Sequence, residues 1–193
     1  MNQTEIKSDP YPDEWKHLAR VTDIVKFAYP EAFAGIPERD KEYYFARGSA
    51  NHSAWQMAEE GTADGYEFDP EVELYREAHL NFLRDTGFRA LLGGIEMRVH
   101  SEELGIKGTL DRLGAIQSRV ILADYKTTKA MEKPVALQTG LYLLCLPGYK
   151  FNEVERYGVG FAKGGKYSMT KRFPDSDEND ARYWAKKYQE AHK

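Results

Sequence analysis

The chain has 193 residues, 41 % hydrophobic and 30 % charged, with a formal net charge of −4. That length supports one domain with its own core, and the balance is the profile of a soluble globular enzyme or binding module. No apolar run approaches the roughly 18 residues of a membrane span. The polar stretch from Met1 to Asp9 does not read as a signal peptide, and the lone Cys145 excludes a disulfide framework or a four-cysteine iron–sulfur or zinc site. A single thiol fits a reducing cytoplasm. The acidic net charge argues against broad non-specific nucleic-acid binding, so any such contact needs a local basic patch.

In chain order, residues 1–14 read as a flexible leader, and residues 15–193 as a single domain. Trp15 to Tyr29 carries Leu18, Val21, Ile24, Val25 and Phe27 at helical spacing and predicts a short helix. A loop from Pro30 to Pro37 follows, then a helix over Asp40 to Gly61 in which Gly48 is a candidate break. Asp69-Pro70 is a helix start, with an N-cap acid and proline at the first position, and Gly87 ends that helix. The middle is strand-rich. Ala90 to His100 makes one strand after a Gly93-Gly94 break, and Gly105 to Ile116 with Arg119 to Lys126 makes a hairpin. Pro134 to Leu146 is a helix stopped by Pro147-Gly148. Tyr157 to Ala162 and Tyr167 to Arg172 form a second hairpin turning at Gly164-Gly165, and Ser176 or Asp177 opens a final helix.

The first hairpin carries the chemistry. With Gln117-Ser118 as its tip, Ile116 faces Arg119, and counting outward sets Asp111 opposite Asp124. Opposed residues have Cβ atoms about 4.5–5.5 Å apart, and like charges at that distance are destabilising. Two carboxylates so placed call for a cation between them, with oxygen ligands suited to Mg²⁺ or Mn²⁺. Lys126 shares the face of Asp124 by strand alternation. Two acids, an amine and an open cation suit phosphodiester hydrolysis. An acid-x-Lys triplet alone is more often a surface salt bridge. The chain has three, at Glu5, Glu14 and Asp124, and only the last follows a buried-type strand, Val120 to Ala123.

Gly108-Thr-Leu-Asp111, Asp124-Tyr-Lys126-Thr127 and Gln138-x-x-x-Tyr142, in this order, resemble the core of the PD-(D/E)XK nuclease superfamily, closest to its RecB-like branch. Ala46-Arg47-Gly48-Ser-Ala-Asn-His52 resembles that branch's first motif, and Val21-Thr-Asp-Ile24 and Gly35-Ile-Pro37 resemble leader segments of phage-encoded stand-alone exonucleases. The resemblance spans about residues 20–145. It implies an α/β fold with a central mixed β-sheet flanked by helices, a restriction-endonuclease-like core. It implies Asp111, Asp124 and Lys126 as catalytic residues, with Asp111 and Asp124 as metal ligands joined by His52 and Glu96. A backbone carbonyl after Asp124 often adds to the same ion. Arg47, Lys129, Gln138 and Tyr142 become the expected DNA contacts, the last two supporting the site as well. As a helical or strand residue alone, each of His52, Glu96, Gln138 and Tyr142 has a bland reading at the core rim or surface.

The resemblance implies a Mg²⁺- or Mn²⁺-dependent deoxyribonuclease, an exonuclease on single-stranded or frayed DNA ends that leaves a 5′-phosphate. It implies a cytoplasmic setting in a bacterial or phage-infected cell and links to replication, recombination or repair proteins. One cysteine excludes the iron–sulfur cluster that some relatives carry. Gly160 to Tyr167 is the nearest approach to a phosphate-binding loop, but it lacks the Ser/Thr and sits on a hairpin, so no nucleotide is expected. No serine nucleophile elbow occurs. Lys126, Lys129, Lys133, Lys163, Lys166, Lys171 and Arg172, with Tyr167 and Phe173 among them, form a candidate basic track or ordinary solvated lysines. The rival readings are a non-cleaving DNA- or protein-binding module on a nuclease fold, and a structure-preferring endonuclease.

Overall fold

The computed structural model describes residues 11–192 apart from 33, 35, 36 and 129–131. Five α-helices and six strands are described: α1 (Val21–Ala28), α2 (Glu38–Glu60), α3 (Pro70–Thr86), α4 (Glu132–Leu144), α5 (Asp177–Ala191), β1 (Ala19–Arg20), β2 (Arg89–Ser101), β3 (Ile106–Ile116), β4 (Arg119–Lys126), β5 (Val154–Ala162) and β6 (Lys166–Met169). Local chemistry accounts for several ends. The Asp69 side chain accepts from the Glu71 N–H at 2.8 Å to cap α3, and Gly87 closes it in the left-handed region at φ 69°.

β3 is the axis of a mixed sheet. β2 runs antiparallel along one edge of β3. On the other edge β1 pairs in parallel at Ile106 and Lys107, and β4 pairs antiparallel from Ile116↔Arg119 to Arg112↔Ala123. Gly108 to Asp111 therefore lie between β1 and β4 on that edge. α4 carries the chain from β4 to the parallel β5, and β6 closes the sheet as a hairpin on β5. Helices cover both faces. Val21, Ile24, Leu110, Leu122, Leu141 and Ala181 belong to one core, with α1, α4 and α5. Trp55, Phe82, Phe88, Tyr125 and Phe161 belong to the other, with α2 and α3. The expected α/β class, a central mixed sheet flanked by helices, is the fold observed.

Three expectations are corrected. The helix expected over Trp15 to Tyr29 begins only at Val21. Before it, Trp15 stacks on His100 at 4.0 Å and Ala19 N–H donates to the Gly105 carbonyl at 2.9 Å, so pairing with β3 overrides helical spacing. α2 passes through Gly48 without a break. The last strand stops at Met169, short of Arg172. The leader falls largely outside the described residues, although Asp13–Trp15 form a 3-10 turn. Among the described residues no helix is long and apolar enough to cross a membrane.

β2 bends where it passes the axis. Its register with β3 shifts between Ala90 and Ile95, a bulge that includes Gly93 at φ 72°. A side chain on Gly94 would run into the Leu113 carbonyl. Just past the bulge, Glu96 sits at φ 46°, a value rare for a residue with a Cβ, and its surroundings must hold it there.

Candidate active site

The β3–β4 ladder has the register the two-residue turn implies, with Gln117 at φ 55°, but it stops one pair short of Asp111 and Asp124. Continued by one pair that register would set Asp111 against Asp124, and in place of backbone pairing a side chain makes the contact there. Asp111 Oδ2 accepts the Tyr125 N–H at 2.6 Å, so a side chain takes the place of the strand's own carbonyl. Leu110 packs in one core and Arg112, two residues on, stacks over Tyr125 in the other at 5.0 Å. Residues two apart on a regular strand share a face, so alternation slips at Asp111. Across the sheet, Glu96 lies between Ile95, opposite Arg112, and Met97, opposite Leu110. The irregularities of β2 and β3 thus coincide, and they bring Glu96 and Asp111 together.

α2 supplies the third member. His52 Nδ1 lies 3.1 Å from Glu96 Oε1 and 3.9 Å from Asp111 Oδ1, and Nε2 lies 3.2 Å from the Tyr125 carbonyl. Among the described residues, His52, Glu96 and Asp111 form the one group of three potential ligands whose donor atoms lie within 4.8 Å of one another. One imidazole, two carboxylates and a carbonyl make a donor set that fits a divalent cation. Asp124 lies outside that group. Its carboxylate is buried and held by Lys126, whose Nζ is 2.7 Å from Oδ2 and 3.0 Å from Oδ1. Lys126 keeps about a third of its side chain exposed, 35 %.

Burial works to lower the pKa of His52, but the Asp111 and Glu96 carboxylates outweigh it and hold the ring above its ordinary 6.5. A doubly protonated ring can donate from both nitrogens, to Glu96 and to the Tyr125 carbonyl. Its charge then sits where a cation would. Burial raises the pKa of Glu96, and the hydrogen bond and charge of His52, with Arg112, overcome it and hold it low. For Asp124, burial dominates, Asp111 adds to it, and the carboxyl is pushed up to about 6 against the pull of Lys126. Burial opposes charge on Lys126, yet Asp124 and Asp111 hold its pKa above 10.5. Lys126 is therefore an ammonium at neutral pH.

These shifts carry a pH expectation for the metal-free protein. Between about pH 4 and 6 native Asp124 keeps a proton that the unfolded chain has released. Its contribution to stability thus falls as pH rises across that window. Protonated His52 acts in the same direction, and its contribution is lost as pH rises through its elevated folded pKa. In EDTA, the melting temperature of the wild type relative to Asp124→Asn is expected to rise as pH is lowered from 7 to 4.5. A flat or opposite trend contradicts the buried, elevated carboxyl. A divalent cation bound at the cluster is expected to stabilise more at pH 8 than at pH 6, because protonated His52 must shed a proton to bind it.

A layer of polar residues behind the cluster was not legible in the sequence. Arg112 is fully buried. It donates to Glu59 Oε1 at 2.7 Å, Glu96 Oε1 at 2.9 Å and the Asp111 carbonyl at 2.7 Å. Glu59 Oε1 also lies 2.8 Å from buried His79 Nε2, and burial holds His79 below the ordinary histidine range. An arginine between Asp111 and Leu113 in a strand of buried type was the available signal.

The expected DNA contacts fall in different settings. Arg47 lies over the rings of Tyr43, Tyr44 and Tyr75 at 5.6, 5.0 and 5.7 Å, on the α2 turn before His52. Gln138 donates to the Tyr142 hydroxyl at 3.2 Å. Tyr142 is 3 % exposed, and Gly108 leaves room for its ring, so it floors the site from within the core. Lys129 lies outside the described residues.

An α/β sheet that gathers carboxylates, an imidazole and an ammonium where two strands part has the layout of a metal-assisted hydrolase. A family model for the PD-(D/E)XK nuclease superfamily matches residues 13–191, nearly the whole chain, and the chain belongs to that superfamily. Its class is that of the nuclease hydrolases, which use divalent metals and act on DNA. Among solved structures, the crystal structure of SSO0001 is similar at 13 % identity and a TM-score of 0.39. That match covers 89 % of this chain and 74 % of the other. No curated protein matches the chain.

Proposed function

We propose that the protein is a Mg²⁺- or Mn²⁺-dependent deoxyribonuclease of the RecB-like kind, acting as an exonuclease on single-stranded or frayed DNA ends in replication, recombination or repair. The observation that carries the reading is the convergence of His52, Glu96 and Asp111 beside the Asp124–Lys126 pair. His52, Glu96, Asp111 and the Tyr125 carbonyl would hold the ion, with Asp124 completing the acidic surround. The ion supplies positive charge that polarises the phosphodiester and acidifies water.

The chain's own groups divide the remaining work. Lys126, charged at neutral pH, is unsuited to take a proton and suited to stabilise the negative charge that grows on the phosphate. Asp124 keeps that ammonium charged and aims it. Tyr125 holds the Asp111 carboxylate through its N–H, so the ligand is oriented before metal arrives. In-line attack by water at phosphorus would break the bond to the 3′ oxygen, which takes up a proton and leaves as a 3′-hydroxyl, and the product keeps a 5′-phosphate.

End-labelled linear DNA and circular single strands, each with Mg²⁺, Mn²⁺ or EDTA, test the reading. Linear single strands are expected to be degraded from their ends with either metal, and circles spared. Cleavage of circles moves the assignment to an endonuclease. Absence of metal-dependent cleavage of any DNA sinks the nuclease reading and leaves a binding module.

A further inference from the structure

We infer that Tyr44 and Phe45 form a base-stacking subsite for a single DNA strand that runs along α2 into the His52–Glu96–Asp111 cluster. The inference rests on the nuclease reading and adds the surface that would hold the strand. α2 carries three aromatic residues in succession, and all are exposed: Tyr43 by 53 %, Tyr44 by 41 % and Phe45 by 67 %. Successive helical residues point about 100° apart, so no single packing partner covers all three. Tyr43 is held by Glu71 through its hydroxyl, whereas Tyr44 and Phe45 keep ring surface open beside the cluster.

The next turn of α2 is small. A side chain on Gly48 would meet nothing within 4 Å, and Gly48 and Ser49 floor a groove of about 490 Å³. Tyr44 and Phe45 line the same groove as His52 and Glu96. Phe45 and His52 are two turns apart on one helix face, about 10 Å along the axis, which is roughly the length of three stacked nucleotides. Arg47, its guanidinium 5.0 Å from the Tyr44 ring centroid, braces the platform and adds one positive charge beside it.

The chemistry selects an unpaired strand. Every unstacked base offers a flat π-face, and stacking on aromatic side chains tolerates any sequence, whereas a duplex hides all but its terminal faces. The net charge of −4 provides little general attraction for phosphates. Affinity carried by rings is therefore expected to depend only weakly on salt.

The test is fluorescence anisotropy with fluorescein-labelled oligo(dT) of about ten nucleotides. It is run in EDTA, so that nothing is cut, at about 50 and 200 mM salt. Tyr44→Ala and Phe45→Ala are each expected to weaken binding roughly 5- to 100-fold, by the same factor at both salts. Tyr66→Ala, which removes an aromatic ring 58 % exposed on the α2–α3 connector, is expected to change nothing. A blunt-ended hairpin duplex is expected to bind more weakly than oligo(dT). Unchanged affinity in both platform variants, equal binding of duplex and single strand, or no binding of oligo(dT) by the wild type overturns the subsite. Should the alanine variants melt early, Phe45→Trp decides: retained or tighter binding supports a stacking ring, and weakened binding overturns it. None of these readouts depends on cutting. A wild type that binds oligo(dT) but never cleaves DNA sinks the nuclease reading and leaves the stacking surface standing.

Discussion

Asp111→Asn is expected to lower Mg²⁺-dependent cleavage by about 10³-fold or more while the protein stays folded. Asparagine is the informative replacement because its amide oxygen still accepts the Tyr125 N–H that Asp111 Oδ2 accepts at 2.6 Å. Alanine would leave that N–H buried and unpaired, at a cost of about 1–3 kcal/mol, and so mix a folding defect with a chemical one. The amide change removes one negative charge from a group whose other members, His52 and Glu96, remain. Mn²⁺ affinity, read by calorimetry, is expected to fall with activity, while the melting temperature in EDTA shifts by only a few degrees. Wild-type cleavage in the Asp111→Asn protein would remove Asp111 from the site. Wild-type Mn²⁺ affinity alongside lost cleavage would move the metal elsewhere.

Arg112→Met is expected to be the most destabilising single change near the site, at about 3–5 kcal/mol. The cost arises on the partners. Glu59, its side chain 4 % exposed, loses the guanidinium at 2.7 Å and is left with the His79 ring at 2.8 Å, which burial disposes against positive charge. For a chain of this length the loss corresponds to a fall in melting temperature on the order of 10 °C. Adding Glu59→Gln removes the stranded charge and is expected to recover a large part of that stability. Metal binding separates positioning from packing. Glu96 loses its 2.9 Å anchor in both proteins, so the double variant is expected to regain stability yet bind Mn²⁺ roughly ten- to a hundred-fold more weakly than the wild type. A stabilised double variant with wild-type Mn²⁺ affinity would reduce Arg112 to a packing residue.

The parts legible in the sequence are those set by near neighbours. A two-residue turn at Gln117-Ser118 dictates the pairing of Ile116 with Arg119, and the ladder follows from it. Asp69-Pro70 and Gly87 bound α3 through cap chemistry that acts over two to four residues. The Trp15–Tyr29 expectation failed because strand pairing with β3, far along the chain, outweighed helical spacing. The same distance hid the polar layer: 53 residues separate Arg112 from Glu59, and 20 separate Glu59 from His79.

By itself the sequence determined the hairpin, its register and the acid–amine pair two residues apart on β4, because turn geometry and strand alternation act within a few peptide units. Only the tertiary structure decided which donors meet. His52 comes from α2, Glu96 from β2 just past its bulge and Asp111 from the slip in β3, and the first two are 44 residues apart. Their convergence depends on how α2 packs on one face of the sheet while Arg112, in the buried layer, holds Glu96 and the Asp111 backbone in place. No pattern of neighbouring residues encodes that meeting, because it is the packing of separate elements that brings these charges within reach of one cation.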